Sequence, residues 1–133
     1  MKKTGILIIA FSMMVIIAGC ADYTLKTRAE PNTTSPGGSG KLTIHFKAGG
    51  KYHLDPNGMV LITFEAPAGI TVEKAELRQE DKVKLGEFET KFTVAPTATK
   101  GVSNITAKVM FQLCTEELCR LINEERTITL AIK

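Results

Sequence analysis

Along three stretches of this chain apolar and polar residues alternate one for one: Leu42-Ile44-Phe46, Ile105-Ala107-Val109-Phe111-Leu113 and Ile128-Leu130-Ile132. A period of two with β-branched enrichment predicts strands with one buried face. Phe88, Thr90, Phe92 and Val94 alternate in the same way. Met59 to Phe64 is a short continuous apolar run that reads as a central strand, and Ile70 to Leu77 is a weaker candidate, so the pattern predicts six strands. Turn signals separate them at Gly49-Gly50, Asp55-Pro56-Asn57-Gly58, Pro67-Ala68-Gly69, Gly86, Pro96 and Gly101. No stretch supports a long amphipathic helix. Short strands at this spacing predict an all-β fold, an antiparallel β-sandwich in which two small sheets share one core.

The first twenty residues follow a different pattern. Lys2 and Lys3 precede an apolar run from Gly5 to Ala18, broken only by Ser12, that ends in Gly19-Cys20. This is the layout of an export signal, and the run is short for a membrane span. Ile17-Ala18-Gly19-Cys20 resembles the bacterial lipobox, in which the cysteine becomes the lipidated first residue. The resemblance implies a signal peptide over residues 1–19, lipidation of Cys20, and a protein anchored to a membrane and facing the periplasm or cell exterior. Removing residues 1–19 takes two of the 17 basic side chains and none of the 14 acidic ones, so the formal charge falls from +3 to about +1. Nucleic-acid binding, which needs a basic patch, is not expected. Residues 20–40 hold few large apolar side chains and end in Pro31-Asn32-Thr33-Thr34-Ser35-Pro36-Gly37-Gly38-Ser39-Gly40. They predict a flexible linker from the lipidated cysteine to a folded domain over residues 41–133.

With Cys20 assigned to lipid, Cys114 and Cys119 remain as an even pair in an oxidising compartment. Four intervening residues suit a tight β-connection that could bring the thiols within bonding distance. Counting outward from the odd-numbered core positions of the preceding strand, Cys114 should point outward or towards a covering loop, and an outward-facing pair would be accessible. On spacing alone the pair is either a structural staple or a redox centre. No metal site is predicted, because four ligands would be needed and no second cysteine or histidine cluster appears. His45 reads as a surface residue and His53 as a loop-ordering one, while Met59 and Met110 read as packing. No nucleophile elbow or isolated carboxylate pair suggests a hydrolase, and no cofactor is called for.

The run Val109-Met110-Phe111-Gln112-Leu113-Cys114-Thr115-Glu116-Glu117-Leu118-Cys119, followed by Thr127-Ile128-Thr129-Leu130-Ala131-Ile132, resembles the end of the N-terminal periplasmic domain of the DsbD thiol:disulfide interchange family. There a "V-x-Y-Q-x-C" strand leads through a short acidic loop to a second cysteine and a last strand. Gly50-Lys51-Tyr52-His53-Leu54-Asp55 resembles the family's "G-x-Y-H-hydrophobic-N" segment, and Phe64-Glu65-Ala66-Pro67-Ala68-Gly69-Ile70 its "L-x-x-P-x-G-V" segment. The resemblance implies an immunoglobulin-like sandwich in which Cys114 and Cys119 are the redox pair. They would exchange electrons with a thioredoxin-like or other extracytoplasmic thiol protein. Two departures stand out. Arg120-Leu121-Ile122-Asn123 replaces the usual aromatic and prolines, and the segment matching the family's cap loop, about Glu80 to Gly86, has no aromatic.

Thiol–disulfide exchange requires an accessible sulfur and a second thiol to resolve the mixed disulfide. Glu116 and Glu117 disfavour a thiolate and Arg120 favours one, so no strongly activated nucleophile is expected. The alternative is a non-enzymatic, protein-binding or structural module whose disulfide only closes the last hairpin. In either case the chain is expected to act as a monomer.

Overall fold

The computed structural model describes residues 22 to 133. The expected signal peptide and Cys20 therefore lie outside the described residues. Ten strands run in the order β1 (Tyr23–Glu30), β2 (Thr33–Thr34), β3 (Ser39–Ala48), β4 (His53–Leu54), β5 (Val60–Glu65), β6 (Ile70–Val72), β7 (Glu76–Arg78), β8 (Glu87–Val94), β9 (Gly101–Cys114) and β10 (Cys119–Ile132), with one 3-10 turn at Gln79–Asp81. One sheet has the order β1-β3-β8-β6. The other has the order β2-β10-β9-β5-β7, with β4 beside β9. All pairings are antiparallel except the two-residue one between β2 and β10. The expected immunoglobulin-like antiparallel sandwich is the observed architecture.

Alternation sets which face each strand buries. Leu42, Ile44 and Phe46 of β3 and Phe88, Phe92 and Val94 of β8 meet Ile105, Val109, Phe111 and Leu113 of β9 and Ile62 of β5 across the interior. Phe111 sits at the centre of an aromatic cluster: its ring stacks on Phe46 at 4.2 Å and takes the edge of Tyr23 at 5.5 Å, and Phe46 stacks in turn on Phe88. Thr90 is the buried polar side chain on the inner face, and its Oγ1 accepts the Lys74 N–H at 3.0 Å. That bond satisfies a hydroxyl where β6 has already ended.

Two expectations need correction. Ile70 to Leu77 is not one strand: it forms β6 in the first sheet and β7 in the second. The chain crosses between sheets at Glu73-Lys74-Ala75, where the Glu73 N–H donates to Lys91 O and the Phe64 N–H to Ala75 O.

Nor are residues 20–40 a flexible linker throughout. Tyr23–Glu30 forms an eight-residue edge strand in register with Lys41–Ala48, and Thr33–Thr34 extends the other sheet beside Ala131–Ile132. The stretch is short of large apolar residues because an edge strand needs few of them. Ala29 is buried and Tyr23, Leu25 and Thr27 are half-buried on the inner face, while Thr24, Lys26 and Arg28 face water. The Gly- and Pro-rich part is the crossover from one sheet to the other. Gly37 donates to Val94 O and Val94 to Gly38 O, which ties that crossover to β8. The folded unit therefore begins by Tyr23, not at Lys41.

If β1 belongs to the core, a chain starting at Pro31 should lose at least about 3 kcal/mol of unfolding free energy in urea, from the apolar surface of Tyr23, Leu25 and Ala29 and the uncovered edge of Phe111. A freely dispensable tether would leave the urea midpoint unchanged.

Candidate redox site at the β9–β10 hairpin

β9 and β10 are both 14 residues long and pair without a break, from Gly101 opposite Ile132 to Cys114 opposite Cys119. This register makes the two cysteines directly opposed neighbours with Cα atoms 3.9 Å apart, and they form a disulfide. The four-residue connection closes on itself. The Thr115 N–H donates to Leu118 O at 2.8 Å, and Thr115 Oγ1 accepts from the N–H groups of Glu117 and Leu118 at 3.3 Å. A hydroxyl at the first loop position is what such a turn uses in place of a backbone acceptor.

The two cysteines are not equally exposed. Cys114 is only 2% exposed, whereas Cys119 is exposed. The expectation that both would be accessible is corrected for Cys114. Its parity is outward, as expected, but it lies between two strands: Cys119 of β10 opposes it on one side and His53 of β4 pairs with it on the other. Cys119 has a strand on one side only, because β10 meets β2 only at Ala131 and Ile132.

Beside the pair, the chain between β4 and β5 bulges out at residues 55–59 and rejoins β9 at Val60 opposite Phe111. The Gln112 carboxamide fills the gap by accepting the Met59 N–H at 2.9 Å. Gln79 Nε2 donates to the carbonyls of Asp55 and Gly58, and Asp55 Oδ1 accepts the Asn57 N–H. The glutamine two residues before Cys114 thus secures the outer neighbour of the strand that presents it. The sequence pattern gives Gln112 no role, its one signal being its place between Phe111 and Leu113.

Tyr52 supplies an aromatic at this end of the molecule, and residues 80–86 supply none. Its ring lies between two cations, with Arg120 Cζ 5.3 Å and Lys51 Nζ 5.9 Å from the centroid. Arg120 Nη2 also bonds Asp22 Oδ2 at 2.9 Å, so the guanidinium expected to favour a cysteine thiolate is committed to a carboxylate and a ring. The end of the segment matching the cap loop is tied to β3 and lies against Leu54 of β4. The Phe46 N–H donates to Gly86 O at 2.9 Å, and Gly86 has φ +79°, with Phe46 O only 2.3 Å from where a Cβ would stand. Only glycine fits that approach. His45 and His53 are both exposed. Among the described residues no group of three or more His, Cys, Asp or Glu side chains converges to hold a metal.

No protein-family model matches the chain, and no curated protein matches it. Solved structures do. The C. elegans MSP family member WR4 superposes with a TM-score of 0.52 at 10% identity, covering 85% of this chain and 99% of that one. This likeness shows the sandwich fold and nothing finer. A conjugative transposon lipoprotein from Bacteroides eggerthii (TM-score 0.44, 11% identity, 78% of this chain and 95% of that one) and the seventh ScaB type I cohesin from Pseudobacteroides cellulosolvens (0.41, 12%, 82% and 92%) are more distant. Among the described residues no helix is long and apolar enough to cross a membrane.

At this end the Tyr23 phenol also sits in an environment that favours its neutral form. Tyr23 donates its hydroxyl to Glu124 while its ring packs on Phe111, and burial, then the bond to and charge of Glu124, hold its phenol above the usual value of 10.0. A raised pKa means the folded state favours the neutral phenol. The resulting stability is fully present below pH about 10 and is lost as the pH rises through the folded-state value. Tyr23→Phe should therefore flatten the fall in stability above pH about 10, read by denaturant titration at a series of alkaline pH values. An unchanged slope would mean that Tyr23 is not the group responsible.

Proposed function

We propose that the domain is an extracytoplasmic lipoprotein, anchored through Cys20, that relays electrons by thiol–disulfide exchange at Cys114 and Cys119. The observation that carries this reading is a disulfide joining two residues the ladder already holds opposite one another. Closing so short a loop restricts the unfolded chain by only about 2 kcal/mol in the chain-entropy treatment. The fourteen-pair hairpin needs little further stapling. The likeness to the DsbD N-terminal domain over three ordered segments supports the same reading.

The unequal exposure of the two cysteines supports a division of roles. A thiolate of the donor attacks Cys119 Sγ, a donor–Cys119 disulfide forms, and Cys114 leaves as a thiolate that takes up a proton. The donor's second thiol then attacks its own sulfur in the mixed disulfide and releases Cys119 as a thiol. The donor dithiol ends oxidised, and this pair ends reduced by two electrons and two protons. Running the steps in reverse passes them to an acceptor disulfide. A thioredoxin-like or other extracytoplasmic thiol protein fits both ends of the exchange, which calls for no cofactor. The charged residues Arg120, Glu124, Glu125 and Arg126 along β10 support a monomer, since charge discourages strand pairing at an open edge.

The burial of Cys114 favours a second reading, a non-enzymatic binding or structural module with a permanent disulfide. The reduction potential separates the two. A relay should poise between about −180 and −270 mV, and a structural bond below about −300 mV. Cys114→Ala, which leaves the exposed Cys119 thiol, should trap a mixed disulfide with a partner. Cys119→Ala should trap far less. A potential below about −300 mV with no trapped partner would overturn the relay.

A further inference from the structure

Asp22, the first described residue, is fixed to the disulfide end of the sandwich twice. Its carbonyl accepts the Gly49 N–H at 2.8 Å, and its carboxylate bonds Arg120, the residue after Cys119. Only two residue steps separate it from Cys20, a reach of at most about 7 Å even when fully extended. We propose that the lipid on Cys20 holds this end of the sandwich against the membrane, so that the Cys119 sulfur is offered to thiols presented at the lipid surface rather than to freely diffusing ones. This inference rests on the lipid attachment proposed above.

The composition of that end fits a lipid surface. Leu118 and Leu121 flank Cys119 with more than half their surface exposed, and the exposed Met59 lies across β9 from them, bonded to Gln112, the cross-strand partner of Leu121. Tyr52 between Lys51 and Arg120 is an amphipathic ring among cations, a combination suited to the headgroup zone. Charge does not provide the attraction. Around the start of β1 and the hairpin tip, Lys47, Lys51 and Arg120 are balanced by Asp22, Glu116 and Glu117. The short leash and the apolar side chains set the orientation, which should therefore be insensitive to salt. The opposite end of the sandwich stands away from the bilayer by the length of β9, about 45 Å.

The test uses the full, processed lipoprotein in vesicles of phosphatidylethanolamine and phosphatidylglycerol containing a headgroup-nitroxide lipid. A fluorophore is placed by Lys47→Cys, near the start of β1, or by Thr99→Cys, before β9. Quenching at residue 47 should exceed that at residue 99 by about threefold or more and should not change with salt. A Gly-Ser spacer of about ten residues between Ala21 and Asp22 should bring the two values together. Equal quenching at both sites in a protein whose mass shows acyl chains would overturn the orientation and leave the lipid anchor standing. A mass without acyl chains would overturn the anchor itself, and the orientation with it.

Discussion

The ladder between β9 and β10 is the constraint on which the rest of the molecule depends. It is the longest pairing in the fold, runs unbroken from Gly101 and Ile132 to the two cysteines, and contributes the inner-face residues Ile105, Val109, Phe111, Leu113, Ile128 and Leu130. A one-residue slip of either strand against the other would turn that strand's inner-face residues outward. The register is thus fixed by the buried face of β9 and by Ile122, Ile128, Leu130 and Ile132 of β10, and the position of Cys119 opposite Cys114 follows from it. Phe111 carries this order to the other sheet through Phe46, and to the edge strand through Tyr23.

How much of this was legible in the sequence depended on whether a strand is central or at an edge. Central β3, β8 and β9 bury one face and show clean alternation, so their existence and inner faces follow from the pattern. β10 reads as a strand only from Thr127, although it begins at Cys119. Between Arg120 and Arg126 only Ile122 is buried, because this part of β10 is hydrogen-bonded to one strand only and meets the start of β1 through the polar contacts of Arg120 and Glu124. β1 was concealed for the same reason, its inner face being Tyr23, Leu25, Thr27 and Ala29. Edge strands in solvent tolerate polar residues that would be excluded from a central one.

The site was legible in part. The pairing of Cys114 with Cys119 agrees with the spacing, and the outward parity of Cys114 is correct. Its burial was not foreseeable, because it comes from β4, a two-residue strand joined to β5 only through a bulge. His53-Leu54 is too short to announce itself by periodicity, and the bond that secures the bulge uses a side chain, Gln112, in place of a backbone group. The contact of Arg120 with Asp22 spans 98 residues of sequence, and no local pattern encodes a pair at that separation.

The burial of Cys114 also bears on what protects the disulfide. A loop of aromatics over the sulfurs is one means of excluding stray thiols, and Tyr52 is a single ring already engaged by two cations. Under the proposed relay, the leaving group would provide another means. In that exchange, attack at Cys119 would expel Cys114 as a thiolate into a site flanked by strands on both sides, and burial disfavours the charged form of a thiol. A poor leaving group slows exchange with every attacker. It slows exchange least with a bound partner that excludes water, stays long enough for proton transfer and keeps a second thiol at hand. Selectivity would then come from the difference in burial between two sulfurs on adjacent strands, which the β9–β10 register and the position of β4 create together.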